Sequence, residues 1–254
     1  VTKKRLDIVL VERGLVESRT QAQALIMAGL VPGYSKPGDQ VAEDVPLEVK
    51  RPPPYVSRGG FKLANALDAF GVSPAGLDCL DIGASTGGFT DVLLQRGAAR
   101  VTALDVGYGQ LHARLRGDPR VVVLERTNVR SLTELPFAPV LVTCDVSFIS
   151  LITALPPALA LAAPGWQAFV LVKPQFEAGP KDAPKGVVRD PLVRRRVVRA
   201  VAEASLDWSA RVAGVVDSGL PGPKGNHEFV LHLVHQDQPE LPRELDFWIA
   251  DATG

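Results

Sequence analysis

The sequence predicts an α/β fold: an open, doubly wound and mostly parallel sheet, with a small α+β module ahead of it. Three observations lead there. From residue 78 onward short apolar runs alternate with helical patterns, the signature of a parallel sheet covered on both faces. No strand is followed by enough residues to close an eight-stranded barrel, so the sheet is open. The run Arg51-Pro52-Pro53-Pro54 favours stiff, extended geometry and sets the first 50 residues apart.

In chain order, residues 1–50 form the small module. Arg5–Arg13 predicts a short amphipathic helix with Leu6, Val9 and Leu10 on one face, closed by Gly14. Ser18 followed by Gln21 has the spacing of a capping box and opens a second helix, whose face is Ala22, Leu25 and Ile26. Leu30-Val31 and Val45–Val49 read as short strands. Residues 51–57 are the linker, 58–236 the larger domain and 237–254 a C-terminal tail. Strands of the larger domain are predicted at Asp78–Ile82, Arg100–Val106, Val121–Leu124, Val140–Val146, Ala168–Val172, Arg211–Val216 and Phe229–Val234. Helices are predicted at Arg58–Phe70, Gly87–Arg96, Leu151–Leu161 and Pro191–Ser205; the last has Asp190 at its N-cap and proline in its first turn.

Composition removes several function classes. The chain has no formal net charge, so it is no nucleic-acid-coating protein, and any RNA contact must use local patches. Its two cysteines, Cys79 and Cys144, lie in apolar runs and cannot build a zinc site, so no metal is expected. With no signal peptide, the expected compartment is the reducing cytoplasm. Phe148–Val172 carries no charge and is long enough to span a bilayer, but Pro156-Pro157 and Pro164-Gly165 are expected to cut it into a buried helix, a turn and a buried strand. No membrane is therefore expected as a partner.

The first strand of the sheet ends in Asp81-Ile82-Gly83-Ala84-Ser85-Thr86-Gly87-Gly88-Phe89. Glycines at such a turn let the backbone approach a ligand. The pattern is not the G-x-G-x-x-G of dinucleotide sites; a carboxylate before a looser turn suits a ligand with an ammonium and a sulfonium, as in S-adenosylmethionine. An ordinary tight turn would give the same residues. Asp105 ends the second strand, next to Val106, where a carboxylate accepts both ribose hydroxyls of a nucleoside. Glu125-Arg126-Thr127-Asn128 either reads an adenine or forms a solvated loop.

Lys62, Asp145, Lys173 and Glu228 stand out by position. Asp145 and Lys173 end strands at the carboxyl edge, where open α/β sheets bind ligands. Glu228 reaches the same edge if its strand runs antiparallel. A lysine ending the apolar run 169–172 must reach solvent or find a partner. Exocyclic-amine methylation is disfavoured, because Asp145-Val146-Ser147-Phe148 stands where a flat Asp/Asn-Pro-Pro-aromatic segment is expected. Carbon-5 methylation needs a reactive thiol, and Cys144 points into the sheet. A ribose hydroxyl needs a base, which a lysine made neutral by burial and a nearby ammonium can supply. Asp145 and Glu228 are expected to hold Lys62 and orient the site.

These segments, with Lys173-Pro174-Gln175-Phe176-Glu177 and Gly225-Asn226-His227-Glu228, resemble the hemolysin A (TlyA-type) rRNA methyltransferases over residues 3–234. Tyr55 to Leu63 is similar to that family's entry into its catalytic domain. Arg5-Leu6-Asp7 and Ser18-Arg19-Thr20-Gln21-Ala22 resemble an S4-type RNA-binding domain, although Val31-Pro32-Gly33 replaces the usual Val-Asn-Gly turn. The resemblance implies a Rossmann-like class I methyltransferase of FtsJ type with a seven-stranded sheet. It also implies a Lys62-Asp145-Lys173-Glu228 tetrad with cytidine ribose in ribosomal RNA as substrate.

Implied contacts with S-adenosylmethionine are Asp81, Gly83, Ala84, Ser85, Gly87, Gly88, Phe89, Asp105, Val106, Asn128 and Asp145. Lys3, Lys4, Arg5, Arg13 and Arg19 give the first helices a basic bias. Lys181, Lys185, Arg189, Arg194, Arg195, Arg196 and Arg199 form a second basic run. Of the second run Lys185, Arg189 and Arg195, with Arg58, are candidates to grip RNA phosphates; a solvated helix face is the plainer reading. Phe148 and Phe176 either stack on a target base or belong to the core.

Overall fold

A computed structural model describes residues 3–50 and 53–254, and the chain divides at Pro54 into two compact units. Arg51 and Pro52 of the expected linker lie outside the described residues. The first unit contains β1 (Lys3–Arg5), α1 (Leu6–Glu12), α2 (Arg19–Met27) and β2 (Gln40–Ala42). Leu6, Val9, Leu10, Ala22 and Ile26 bury the apolar faces of the two helices against each other. Ser18 caps α2 by accepting the Gln21 N–H at 3.2 Å, but the Gln21 side chain takes the N–H of Glu17, one residue earlier than a capping box requires. The expected strands at 30–31 and 45–49 do not form. One backbone bond, Lys50 N–H to the Leu30 carbonyl, joins those segments, and the two-stranded ladder uses β1 and β2 instead, pairing Lys3 with Ala42 and Arg5 with Gln40.

The second unit runs α3 (Gly59–Phe70), β3 (Asp78–Ile82), α4 (Gly88–Gln95), β4 (Arg100–Leu104), α5 (Ala113–Arg116), β5 (Val121–Leu124), β6 (Leu141–Cys144), α6 (Leu151–Leu159), β7 (Gln167–Val172), α7 (Pro174–Glu177), α8 (Pro191–Ala204), β8 (Ala210–Asp217), β9 (Phe229–His235) and α9 (Leu245–Thr253). The seven strands lie in the order β5-β4-β3-β6-β7-β9-β8, and β9 is antiparallel to both neighbours. Side chains alternate between faces with period two. Leu80, Ile82, Val142 and Cys144 join the core beneath α6 and α8. Cys79 and Leu141 join the core beneath α3 and α4.

The expected buried helix, turn and buried strand form as α6, the turn after it and β7, but two details differ for clear reasons. Pro156 and Pro157 do not interrupt α6; they lie inside it, and the carbonyls they leave unbonded belong to Ile152 and Thr153, both on the exposed face. Residues 237–254 are not simply a tail. Leu245, Trp248, Ile249 and Ala252 recur at helical spacing, and α9 packs them onto the core beside β8 and α8. Burying a leucine and an isoleucine there contributes roughly 1.5–3 kcal/mol each, enough to hold a short helix.

Candidate active site

Strand order reverses between β3 and β6, and an open sheet leaves a crevice above such a point. Gly83 crosses it with φ 81°, and a Cβ there would lie 2.5 Å from the Asp145 carbonyl oxygen. Only glycine permits that approach. Two adjoining cavities open along the edge, of about 360 and 280 Å³, and share Gly83, Ser85, Asp145 and Ser147.

The larger cavity is walled by Ile82, Leu104, Val106, Val129, Val146 and Ile149, with Asp105, Gln110 and Asn128 at its polar end. Asp105 accepts the Ser85 N–H on one oxygen and the Gly107 N–H on the other, both at 2.7 Å. Neutral donors thus orient the carboxylate without cancelling its charge. Asn128 lines the same cavity while its Oδ1 caps the following turn through the Arg130 N–H at 3.1 Å. Its neighbours are occupied elsewhere: Glu125 pairs with Arg116 at 2.5 Å, and Arg126 lies over the Tyr108 ring at 4.2 Å. The smaller cavity is bounded by Ala84, Ser85, Gly88 and Phe89 from the turn and by Ser147 and Lys173 opposite.

Asp81 and Gly87 line neither cavity. Asp81 shares the face of Cys79, so its carboxylate points beneath α4 and is 0 % exposed. One oxygen accepts the Thr90 N–H at 2.9 Å and the Thr90 hydroxyl at 2.6 Å; the other accepts the Thr143 hydroxyl at 2.9 Å. It therefore satisfies an orphan N–H in the first turn of α4, the task of an N-cap side chain, from a neighbouring strand. Burial pushes its carboxyl up to about 6, against the pull of those hydrogen bonds. Gly87 has φ 97°, and its missing Cβ makes room for Leu111 and Leu115.

Lys62, Asp145, Lys173 and Glu228 come together at the same edge as two ion pairs. Lys62 meets Glu228, which is 0 % exposed. Lys173 Nζ lies 2.5 Å from Asp145 Oδ1 and donates to the Ser147 hydroxyl at 3.0 Å. Asp145 therefore serves Lys173 and not Lys62, contrary to the sequence expectation, because Lys173 ends the strand next to Asp145 while Lys62 comes from α3. Gly222 is also required by this arrangement, since a Cβ there would collide with Glu228 Oε1. Ser147, Gln110 and Gln175 were not singled out from the sequence; the signals were the places of Ser147 two residues after Asp145 and of Gln175 two residues after Lys173.

Both thiols are inert by burial, which pushes Cys79 up to about 12 and Cys144 higher still. Phe148 is 90 % exposed and held at φ 64°, a conformation that costs a bulky residue energy with no burial in return. It meets the half-buried Phe176 ring at 4.9 Å. Phe148 is therefore not core.

Most of the candidate basic residues already have partners. Arg5 and Arg19 both grip the buried Asp7, with Arg5 the stronger influence holding that carboxyl well below the usual range. Lys4 pairs with Glu12 and Glu43, and Arg13 donates to the Val45 carbonyl. Arg195 donates to Thr253 and so anchors α9, while Arg194, Arg196 and Arg199 are bonded to neighbouring carbonyls or carboxylates. Lys3, Arg58, Lys185 and Arg189 are exposed.

The cleft fits S-adenosylmethionine: an apolar slot for a base, an uncancelled carboxylate for ribose hydroxyls, and a glycine turn whose backbone packs directly against Asp145. Residues 55–235 match the FtsJ-like methyltransferase family and residues 4–31 the S4 domain. The chain is 50 % identical over 249 residues to a 16S/23S rRNA (cytidine-2′-O)-methyltransferase, TlyA, of Mycobacterium tuberculosis, covering 94 % of this chain and 92 % of that one. A solved structure from Streptococcus thermophilus, described as a candidate hemolysin, shares 40 % identity and a TM-score of 0.75, covering 98 % of this chain and 95 % of that one. An S-adenosylmethionine dependent methyltransferase from Mesorhizobium loti, 15 % identical, shares the fold at a TM-score of 0.51 over 68 % of this chain and 98 % of its own. Among the described residues no helix is long and apolar enough to cross a membrane. The chain belongs to the FtsJ-like methyltransferase family, with S-adenosylmethionine as its methyl donor.

Proposed function

We propose that this enzyme methylates the 2′-hydroxyl of cytidine in ribosomal RNA, with Lys173 as the general base. The observation that carries this reading is Lys173 at the wall of the smaller cavity, between the Asp145 carboxylate and the Ser147 hydroxyl. S-adenosylmethionine supplies an electrophilic methyl group on a sulfonium. Gly83, Ala84, Ser85, Gly88 and Phe89 would hold its amino-acid end, and Asp105, Val106 and Asn128 its nucleoside. As the ribose oxygen takes the methyl group, its proton passes to Lys173 Nζ. Lys62 and Glu228 keep each other in place beside it.

The substrate class rests on the TlyA relative's name and the S4 match. The inert Cys144 speaks against carbon-5 chemistry. Phe148, exposed at the cleft, offers a face for the target base, with Phe176 behind it. Lys3, Arg58, Lys185 and Arg189 are available to RNA phosphates. A ribosomal substrate would make the cytoplasm the place of action. Lys173→Arg keeps the charge but cannot release its proton at these pH values. We expect it to bind donor and RNA while single-turnover transfer falls about 10²–10⁴-fold. A rate near that of the unmutated protein from about pH 6 to 9 would leave Lys173 only a positioning role.

A further inference from the structure

The two ion pairs of the tetrad are not kept apart by distance along the sheet. Val172 pairs with Phe229 in the β7–β9 ladder, so the next residues outward, Lys173 and Glu228, fall on the same rung. Directly opposite residues in an antiparallel ladder share a face. Glu228 is nevertheless bound to Lys62 through Oε2, and its other oxygen accepts a hydrogen bond from the Gln175 amide at 3.3 Å. Gln175 lies two residues beyond Lys173, in the first turn of α7.

The orientation of that amide is fixed. Turned over, its oxygen would face a carboxylate, so the nitrogen must point at Glu228. The consequence is that Gln175 Oε1 is buried with no hydrogen-bond partner. A buried acceptor left unsatisfied lowers stability, and a side chain there for packing alone would be better apolar. What the amide provides is a donor with no charge, on an oxygen that a lysine would otherwise occupy.

We propose that Gln175 is a positioning residue that keeps Glu228 from capturing the Lys173 ammonium, so that Lys173 can release its proton. This rests on the reading of Lys173 as base. The groups facing Lys173 are Asp145, one residue past β6, the buried Cys144 thiol on β6, Glu228 on the rung beyond β9, with Lys62 from α3 held on that Glu228, and the Phe176 ring, 6.0 Å from Nζ. Glu177 on α7 is turned away, bonded to the Ser150 hydroxyl and the Leu151 N–H. Without Gln175, Glu228 gains a free anionic oxygen, and Lys173 is the cation on its rung. Two carboxylates would then favour the protonated lysine.

The test is single-turnover methyl transfer against pH on the full chain, with S-adenosylmethionine and ribosomal subunits lacking the mark. Gln175→Met keeps the length without the donor, and Gln175→Asn keeps the donor but cannot reach. Both should move the midpoint of the rising rate to higher pH by about one unit, which is about tenfold in rate at neutral pH, with the plateau regained in alkali. Donor affinity by calorimetry and the melting profile should stay near those of the unmutated protein. A rising profile that neither variant moves, or that moves to acid, overturns this inference alone. A flat profile in the unmutated protein overturns Lys173 as base and the inference with it. Unfolding of both variants also overturns it, because a positioning group is dispensable to the fold.

Discussion

Along the carboxyl edge, the aspartates at the ends of β3 and β4 are held differently from the carboxylates beside β6 and β9. Asp81 and Asp105 are held by backbone N–H groups and hydroxyls. Asp145 and Glu228 are held by lysines. The two treatments leave different chemistry behind. At Asp105 the neutral donors leave the charge for a ligand, which suits the half of the edge that binds; at Asp81 they offset burial, and the carboxylate braces α4. A carboxylate paired with a lysine is neutral as a unit and can trade a proton, which suits the half where the reaction runs. The crevice between β3 and β6 is where the two meet.

After Lys173, the variant expected to do most damage in the reacting half is Lys62→Met. It leaves the fully buried Glu228 charge without its cation, which costs about 3–5 kcal/mol of stability. Adding Glu228→Gln should restore most of that stability but not methyl transfer. Denaturant unfolding of both single variants and the double variant measures it. If Lys62→Met alone melts like the unmutated protein, the pair is not a buried ion pair in solution and the contrast between the halves is lost.

In the binding half the effect is smaller and selective. Asp105→Ala removes a charged acceptor for ribose hydroxyls, so donor affinity should fall about 10–100-fold while the fold is kept. Isothermal titration with S-adenosylmethionine decides it, and unchanged affinity would move the nucleoside out of the larger cavity.

How much of this was legible in the sequence follows from what sequence patterns encode. An apolar run ending in Asp or Lys announces a strand reaching a polar edge, so β3, β6 and β7 and the residues past them could be read. The antiparallel β9, which brings Glu228 to that edge, could be stated only as a condition. Which ammonium meets which carboxylate could not be read, because it depends on strand order and side-chain reach. Asp81 and Asp105 look equivalent in sequence, yet Asp81 is still inside its strand on the α4 face while Asp105 has just left its own. Asp81 pairs with Ala103, so Asp105 lies two positions further out, and that difference separates a brace from a ligand contact. The helix at 245–253 was legible from its spacing, but it follows the polar stretch 236–244 and lies outside the strand-helix alternation.

The smallest effect on donor binding is expected at Asp81. Its folded carboxyl sits at about 6 against an ordinary 3.8, because burial disfavours the charge more than Thr90 and Thr143 favour it. The folded state thus holds this proton more tightly than the unfolded chain. The stability it contributes is fully present below the unfolded value, and is lost as pH rises through the folded one. At about 1.4 kcal/mol per unit the loss is of order 2–3 kcal/mol between roughly pH 4 and 6. Asp81→Asn abolishes that titration and can keep every bond. Its oxygen accepts from Thr90, and its amide donates to the Thr143 oxygen, whose own proton turns to the Leu80 carbonyl, 3.4 Å from that oxygen. The variant should therefore match the unmutated protein near pH 4 and exceed it at neutral pH, with unchanged affinity for S-adenosylmethionine. Melting curves across that range, with titration at pH 7, test both halves of the claim. A tenfold loss of donor affinity in Asp81→Asn would mean that the Asp81 charge is felt in the cleft, and that both carboxylates of the binding half serve the ligand directly.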